Sequence, residues 1–276
     1  MKHAVSFQNK VVVVTGGASG IGAALCRRFG REGARIAVMD MDRKRTDAQV
    51  AELDAAGIDA AGFPCDVTSQ GQCEAAIAEI IRMYGGIDVL AVNAGITQRS
   101  PFVRTDPSVY RRVMEVNFFG ALYCARAAIK SLIEGGGMIL VTSSLAGVSP
   151  LIGRTGYSAS KHALHGLFES LRTEVKPLGV HVMMVCPGFT KTSLQERALG
   201  GDGSVTRHPQ STAGKVDSPD RVAEAVFRGA AARKNIVVLT TVGKITYLLH
   251  RLAPALYERI MAGKLASEID MDTGSH

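Results

Sequence analysis

The stretch VVVVTGGASGIG, residues 11–22, joins a β-branched apolar run to a helical pattern through a turn with four glycines. Glycines let a backbone turn tightly and approach an anion closely. The N-terminus of the following helix offers free N–H groups and the positive end of its dipole. The spacing is G-x-x-x-G-x-G rather than G-x-G-x-x-G. The stretch therefore predicts a strand, turn and helix that bind a phosphate-bearing cofactor, with a glycine-rich turn that holds no ligand as the alternative.

Further apolar runs follow the first, and helical patterns separate them. We predict strands over 11–14, 35–39, 60–64, 87–92, 138–141, 180–185 and 236–239, and helices over 21–31, 43–56, 69–84, 107–134, 158–176, 220–232 and 244–261. Strands that alternate with helices form parallel sheets, and continuous apolar strands indicate helices on both faces. The sequence predicts one α/β domain, residues 1–276, built on a doubly wound parallel sheet of about seven strands. Within it we expect a mobile substrate flap over about 190–218 and a C-terminal helical extension over about 241–264.

The composition is that of a folded globular protein. The 276 residues are 46% hydrophobic and 21% charged, and 32 Lys and Arg against 25 Asp and Glu give a net charge of +7. These values exclude a disordered or collagen-like chain. No apolar run of about 18 residues and no signal-peptide pattern occur, so neither a transmembrane helix nor secretion is predicted. Five scattered cysteines without a C-x-x-C pair predict reduced thiols in the cytoplasm, and no metal site is expected.

Asp40 ends the second predicted strand, 18 residues after Gly22. A carboxylate at this place accepts hydrogen bonds from an adenosine ribose diol and repels a 2′-phosphate. Ser19 is neutral, so the turn supplies no cation for such a phosphate. These features predict NAD as the cofactor. The basic run 43–45 leaves NADP open, and a solvated strand end is the alternative interpretation of Asp40.

Several motifs occur in a fixed order after the turn. They are Asp66-Val67, Asn93-Ala94-Gly95, VNFFG with Asn117, Ser143-Ser144 at the end of the fifth predicted strand, YSASK at 157–161, and Pro187-Gly188. With TGGASGIG at 15–22 they resemble the motifs of the classical short-chain dehydrogenase/reductase (SDR) family over about residues 8–240. Val92 stands where that family has the first Asn of an N-N-A-G motif, a departure expected to weaken one turn contact and to leave the main one.

The resemblance implies a Rossmann-like fold and a nicotinamide cofactor. Asp66 and Val67 would contact the adenine, and Thr190 and Thr192 would lie in the loop on the nicotinamide side. The predicted cofactor-binding residues are Thr15, Gly16, Ser19, Gly20, Ile21, Gly22, Asp40, Met41, Asp66, Val67, Asn93, Ala94, Gly95, Tyr157, Lys161, Pro187, Gly188, Thr190 and Thr192.

Four residues are predicted to be catalytic. Tyr157 and Lys161 are four residues apart and so share one helix face, where the ammonium would lower the pKa of the phenol and make it a general acid or base. The resemblance implies that Lys161 also binds the nicotinamide ribose, and that Asn117 holds a water in a proton path to solvent. Ser144 lies at the family's interval before Tyr157 and would hold the substrate oxygen; Ser143 is its competitor. The alternatives are a surface Tyr–Lys pair and a solvated Asn.

The predicted reaction is reversible hydride transfer between NAD(H) and a secondary alcohol or ketone. Candidate lining residues of the substrate pocket are Ile96, Phe102, Leu145, Leu151, Ile152, Phe189 and Leu194. They favour a mid-sized, mostly apolar substrate, with a sugar or polyol open and Arg99 and Arg154 close in sequence. The competing hypotheses are a catalytically silent cofactor-binding regulator or scaffold and an NADP-dependent ketone reductase.

The segment 228–264 carries seven Lys and Arg against the single acid Glu258, with apolar residues at helical spacing. We expect a helix that caps the pocket or packs on a sister subunit, and a basic amphipathic helix on an anionic membrane surface is the alternative. No nucleic-acid motif is present, so no nucleic acid is expected as a partner. The resemblance implies a homodimer or homotetramer formed through the helices at about 107–134 and 157–176.

Overall fold

The computed structural model describes residues 5–206 and 216–265. Its strands are β1 (Val11–Thr15), β2 (Arg35–Asp40), β3 (Ala60–Pro64), β4 (Val89–Val92), β5 (Met138–Thr142), β6 (His181–Cys186) and β7 (Ile236–Val238). Its helices are α1 (Gly20–Gly30), α2 (Arg43–Ala55), α3 (Gln70–Tyr84), α4 (Pro107–Met114), α5 (Gly120–Gly135), α6 (Thr155–Val175), α7 (Ser193–Glu196), α8 (Pro219–Ala231), α9 (Thr241–Leu252) and α10 (Pro254–Leu265).

The seven strands of the described residues form one parallel sheet in the order β3-β2-β1-β4-β5-β6-β7. The predicted doubly wound α/β fold is confirmed. The strand order reverses between β1 and β4, and in such sheets the crevice outside the carboxyl ends of the strands at that point binds ligands. The glycine turn follows β1 directly, so the fold places it at this crevice.

Two apolar layers sandwich the sheet, because successive side chains of a strand point to opposite faces. Val11 and Val13 pack in the layer under α3, α5 and α6, whereas Val12 and Val14 pack in the layer under α1 and α8. All four valines are at most 1% exposed. The four valines therefore contribute to both apolar layers, and their burial fixes the position of the turn that follows them.

The predicted helix over 107–134 is a single helical run, Pro107–Gly135, that contains a π-helical turn at Glu115–Phe119. By length and composition it is the one helix of the described residues that could cross a membrane. Its inner side packs against α3 and α6, as expected for a core helix. The π turn brings Asn117 to the carboxyl end of the sheet.

The predicted last helix over 244–261 is wrong as one element. The chain breaks at Ala253, and α9 and α10 form a helical hairpin there. Pro254 causes the break, because proline has no N–H and disfavours the helical conformation of the residue before it. Ala253 accordingly has φ −145° and ψ 67°.

The predicted flap over 190–218 lies partly outside the described residues, which omit 207–215. Its two ends are held together, since Lys191 N donates to the Asp217 carbonyl at 2.9 Å and Asp217 N donates to the Phe189 carbonyl at 2.8 Å. The short helix α7 lies between them. The flap is thus fixed at its base, and its mobility stays a prediction.

Candidate active site

The turn after β1 packs closely against the end of β4 and the start of α1, because Gly16 and Gly22 carry no side chain. We call this turn the glycine cradle. Gly16 has φ 62°, in the left-handed region that favours glycine, and a Cβ there would lie 2.9 Å from Ala94 Cα. A Cβ on Gly22 would lie 2.0 Å from the Gly16 carbonyl oxygen. Gly22 therefore serves close packing of α1 on the turn rather than facing the cavity.

The end of β4 holds the turn in place. Thr15 Oγ1 accepts hydrogen bonds from Asn93 N at 2.9 Å and Ala94 N at 3.0 Å. Asn93 Nδ2 donates to the Thr15 carbonyl at 3.1 Å and the Gly16 carbonyl at 3.4 Å. Thr15 is buried, so it shapes the cradle from behind. Asn93, which matches the second Asn of the family's N-N-A-G motif, makes these contacts. Val92, at the position of the first Asn, is buried in β4.

The Asp40 carboxylate stands at the end of β2, beside the glycine turn. It accepts hydrogen bonds from Ala18 N at 3.2 Å and from Asp42 N at 3.1 Å. Of the nearby basic run, Arg45 reaches the cavity wall, and its Nε forms an ion pair with Asp42 Oδ2 at 3.1 Å. The carboxylate is thus fixed in orientation at the wall of the cavity.

One cavity of about 1540 Å³ runs from this turn across the carboxyl ends of the strands. Ordinary small-molecule pockets hold roughly 300–1,000 Å³, so the cavity has room for a dinucleotide together with a substrate. It brings together most of the predicted site residues. They are Gly16, Ser19, Gly20, Ile21, Asp40, Met41, Asp66, Val67, Asn93, Ala94, Gly95, Ser144, Tyr157, Lys161, Pro187, Gly188, Thr190 and Thr192. Thr15, Gly22 and Asn117 are not among its lining residues.

Tyr157 and Ser144 meet at the floor of the cavity. Burial raises the pKa of the Tyr157 phenol, and a hydrogen bond with the Ser144 side chain and the charge of Arg154 act in the opposite direction. Ser144 Oγ also accepts from Ala146 N at 3.1 Å, which orients the hydroxyl. Ser143 Oγ instead donates to the Lys161 carbonyl at 3.4 Å. Ser144, rather than Ser143, is thus the serine that lowers the pKa of the phenol.

Lys161 is 4% exposed, and burial lowers the pKa of its ammonium to about 8. Its Nζ donates to the Thr142 carbonyl at 2.8 Å and lies 5.7 Å from the centre of the Tyr157 ring. The predicted lowering of the phenol pKa by this ammonium stays a prediction, because burial dominates the shift at Tyr157. A buried Lys beside a half-buried Tyr, both with shifted pKa values, is a frequent mark of a catalytic site.

Asn117 is buried, and its side chain is fully engaged with the protein. Its Oδ1 accepts from Ile96 N at 2.8 Å, and its Nδ2 donates to the Ile96 carbonyl at 3.0 Å and to Ser160 Oγ at 2.9 Å. A Cβ on Gly95 would lie 3.1 Å from Asn117 Oδ1 and 3.5 Å from Lys161 Nζ. Asn117 therefore lies next to Lys161, and its role in a proton path stays a prediction.

The far end of the cavity is mostly apolar. Of the predicted lining residues it contains Ile96, Leu145, Leu151, Phe189 and Leu194. The prediction that Phe102 and Ile152 line the pocket is wrong. Phe102 is 70% exposed, in a short 3₁₀ turn, and its ring contacts Tyr110 outside the cavity. Ile152 does not line the cavity either.

The C-terminal helices α9 and α10 add a wall to this end, as expected for a helix that caps the pocket. That wall consists of Val242, Ile245, Thr246, Leu249, Tyr257, Ile260 and Met261. Tyr257 Oη fixes the wall by donating to the Pro150 carbonyl at 2.8 Å.

Two buried arginines meet the flap at Gln195. Arg154 Nη1 donates to Gln195 Oε1 at 3.2 Å, and Arg99 Nη2 donates to the Gln195 carbonyl at 3.4 Å. Arg154 lines the cavity, with its guanidinium carbon 5.9 Å from the centre of the Phe189 ring, whereas Arg99 does not line it. Arg154 therefore places a buried cationic side chain at the substrate end.

The cavity fits a nicotinamide dinucleotide by its shape and donor set. The glycine cradle accepts no Cβ, α1 points its N-terminus at the turn, and a fixed carboxylate stands at the end of β2. These are the features that bind a pyrophosphate and a ribose diol. Among residues 5–206 and 216–265, no cluster of three or more potential metal-ligating side chains occurs.

Comparisons with known proteins agree with this fit. A family model described as short chain dehydrogenase matches residues 10–200. The protein called dehydrogenase/reductase SDR family member 7B of Danio rerio is 36% identical over 273 residues, 96% of this chain and 88% of its own length. The protein called dehydrogenase/reductase SDR family protein 7-like of Drosophila melanogaster is 33% identical over 260 residues, 92% and 79% of the two chains.

Solved structures show the same likeness. The crystal structure of a dehydrogenase/reductase from Sinorhizobium meliloti 1021 has a TM-score of 0.73 and 33% identity, and the match covers 85% of this chain and 93% of that one. An SDR from Burkholderia phymatum, solved in complex with NAD, has a TM-score of 0.81 at 24% identity, over 91% and 96% of the two chains, and shares the fold. The chain therefore belongs to the short-chain dehydrogenase/reductase family and is an oxidoreductase that acts on CH–OH or carbonyl groups.

Proposed function

We propose that this enzyme transfers a hydride between NAD and a mid-sized, mostly apolar secondary alcohol or its ketone. One observation carries the proposal: Tyr157, Ser144 and the buried Lys161 line a single cavity that continues to the glycine turn. The cofactor, when bound, supplies the hydride chemistry. The residues of the chain bind and orient the substrate and move its proton.

In the oxidation direction, Tyr157 Oη removes the proton of the substrate hydroxyl, and in reduction it returns that proton. Ser144 Oγ donates a hydrogen bond to the substrate oxygen, where charge develops. Because burial raises the pKa of the phenol, the phenolate needs positive charge nearby. Lys161 and Arg154 are the cations that the chain supplies. Lys161 would also bind the nicotinamide ribose, and Asn117 would support proton relay from its place beside Lys161.

The preference for NAD rests on the surroundings of Asp40. A 2′-phosphate on the adenosine ribose would lie against this carboxylate, which Ala18 N and Asp42 N hold in place. Arg45 is the one cation of the run 43–45 at the cavity wall, and Asp42 already pairs with it. Like charge at the ribose therefore disfavours NADP.

The preference for an apolar substrate rests on the far end of the cavity. This end has many apolar lining residues, among them Leu145, Leu151, Phe189, Leu194 and Leu249. Unpaired hydroxyls in such surroundings cost free energy.

The five cysteines are free and buried, a state that suits a reducing compartment, and we propose the cytoplasm. We also propose a homodimer or homotetramer formed through α4, α5 and α6.

The test is a panel of secondary alcohols of increasing apolar size, with NAD and with absorbance of the reduced nicotinamide as the signal. Tyr157→Phe should lower kcat by about 10²–10⁴-fold and keep NAD binding by calorimetry. The matched control is Tyr110→Phe, because Tyr110 Oη bonds Thr155 Oγ1 at 2.7 Å outside the cavity. Undiminished turnover in Tyr157→Phe would refute the assignment.

A further inference from the structure

A stripe of large apolar side chains on α9 and α10 is exposed, partly at the mouth of the cavity and partly outside it. They are Val242, Ile245, Leu248, Leu252, Leu256 and Ile260, with exposed fractions between 43% and 75%. Within each helix they recur three or four residues apart, so they share one face. Contiguous apolar surface of this kind marks an interaction site more often than scattered exposed residues do.

Contacts of α9 and α10 with the rim of the cavity hold the two helices in place. Tyr257 Oη donates to the Pro150 carbonyl at 2.8 Å, and the Tyr257 ring packs on His250 with centres 5.3 Å apart. A Cβ on Gly243 would lie 3.0 Å from Leu145 Cδ2. With the helices held in this way, Leu248, Leu252 and Leu256 are exposed outside the cavity and form the outer face of α9 and α10.

Exposed cations accompany the stripe. Lys244 and Arg251 are seven residues apart and lie on one side of α9, and Arg259 is exposed on α10. No described carboxylate forms an ion pair with any of these three. Glu258 is the only acid between residues 241 and 265. The face is therefore apolar and positively charged at once.

That charge decides between the two occupants that suit an apolar face. In a two-fold dimer the same patch meets itself, so a second copy would bring the cations of one face against those of the other. An anionic phospholipid surface instead attracts Lys and Arg and accepts apolar side chains into its headgroup region. We propose that the outer face of α9 and α10 docks on an anionic phospholipid bilayer.

The docking face is continuous with the cavity. Val242, Ile245 and Ile260 both line the cavity and belong to the exposed stripe. A substrate dissolved in the bilayer would therefore reach the active site along apolar side chains without crossing water. This route rests on the proposed function, whereas the docking does not.

The experiment is co-sedimentation of the full chain with vesicles of phosphatidylcholine and phosphatidylserine, against vesicles of phosphatidylcholine alone. We expect binding to the mixed vesicles, weakened by added salt. Each Lys or Arg at an anionic surface contributes about fivefold in affinity. The double variant K244Q/R251Q should therefore bind about 25-fold more weakly. L248S/L252S should also lose binding, because it removes apolar contact.

The matched control is R31Q/K176Q, which removes the same charge at exposed positions of other helical segments. It should bind as the unchanged protein does. Three results would overturn the proposal: no binding of the unchanged protein to mixed vesicles, equal loss in the control, or L248S/L252S that keeps vesicle binding but dissociates an oligomer in ultracentrifugation. Every variant is also titrated with NAD, which shows whether it is folded and binds the cofactor. None of the four substituted positions of α9 lines the cavity, so a loss of vesicle binding with unchanged NAD binding concerns the docking alone.

Discussion

Replacing Lys161 by Met should make the apoprotein more stable at neutral pH while abolishing turnover. Lys161 is 4% exposed, and burial lowers its pKa from 10.5 to about 8. The folded state therefore binds this proton more weakly than the unfolded state does. The resulting destabilisation is fully present below pH 8, and it disappears as the pH rises through 10.5.

The magnitude follows from the two pKa values. At about pH 7 the buried ammonium costs about 3 kcal/mol, and at about pH 9.5 it costs about 1.5 kcal/mol. Met fills a similar volume without charge, but it leaves the Thr142 carbonyl, now bonded at 2.8 Å, without its donor. That loss costs about 1–3 kcal/mol at either pH. The net gain at about pH 7 is then on the order of 1 kcal/mol.

The assay is urea unfolding of both proteins at about pH 7 and pH 9.5, at one protein concentration. Between the two pH values, the difference in unfolding free energy between variant and unchanged protein should shift by about 2 kcal/mol toward the unchanged protein. Taking the difference cancels every other titrating group. A difference that does not change with pH would refute burial as the cause of the Lys161 shift.

Three further substitutions test other parts of the structure. Gly22→Ala should prevent folding or NAD binding, because its Cβ would lie 2.0 Å from the Gly16 carbonyl oxygen; circular dichroism and calorimetry measure both. Ser144→Ala should move the ascending limb of alcohol oxidation to higher pH in kcat/KM profiles, because the interaction that lowers the pKa of the Tyr157 base is lost. Phe29→Ala should cost about 3–5 kcal/mol in urea unfolding, because the ring is fully buried.

Matched controls separate these effects from general damage. Gly71→Ala, in α3 with open space around its Cβ, should leave stability equal or raise it by up to about 1 kcal/mol. Ser143→Ala should leave the pH profile in place. Phe102→Ala should cost little, because the ring is 70% exposed. Equal effects in a substitution and its control would contradict the corresponding reasoning.

Much of the fold follows from local sequence. The β-branched run before the glycine turn predicts β1, since buried strands favour such residues, and Ser69 caps α3 as its position indicates, with Oγ accepting from Gln72 N at 3.4 Å. Pro254 accounts for the split of the last predicted helix, because proline disfavours the helical conformation of the residue before it. The π turn at Asn117 depends on tertiary hydrogen bonds to Ile96 and was not predictable.

The sequence predicts which residues form the candidate site better than it predicts their pKa values. Motif order located Tyr157, Lys161 and Ser144, which the structure brings to one cavity. Sequence spacing suggested only the attraction between Lys161 and the phenol. The opposing effect of burial on both pKa values depends on surroundings that no spacing reveals. The cavity wall of α9 and α10 likewise depends on how the hairpin docks.

The binding of NAD at the glycine turn with Asp40 as its discriminator is the central claim, and calorimetric titration with NAD and NADP tests it most directly. Charge-assisted hydrogen bonds contribute about 1.5–3 kcal/mol, so NAD should bind roughly ten to a hundredfold more tightly than NADP. Asp40→Ala should abolish that preference, and Asp47→Ala, an exposed acid of α2, should keep it. Tighter binding of NADP, or binding of neither dinucleotide, would contradict the account.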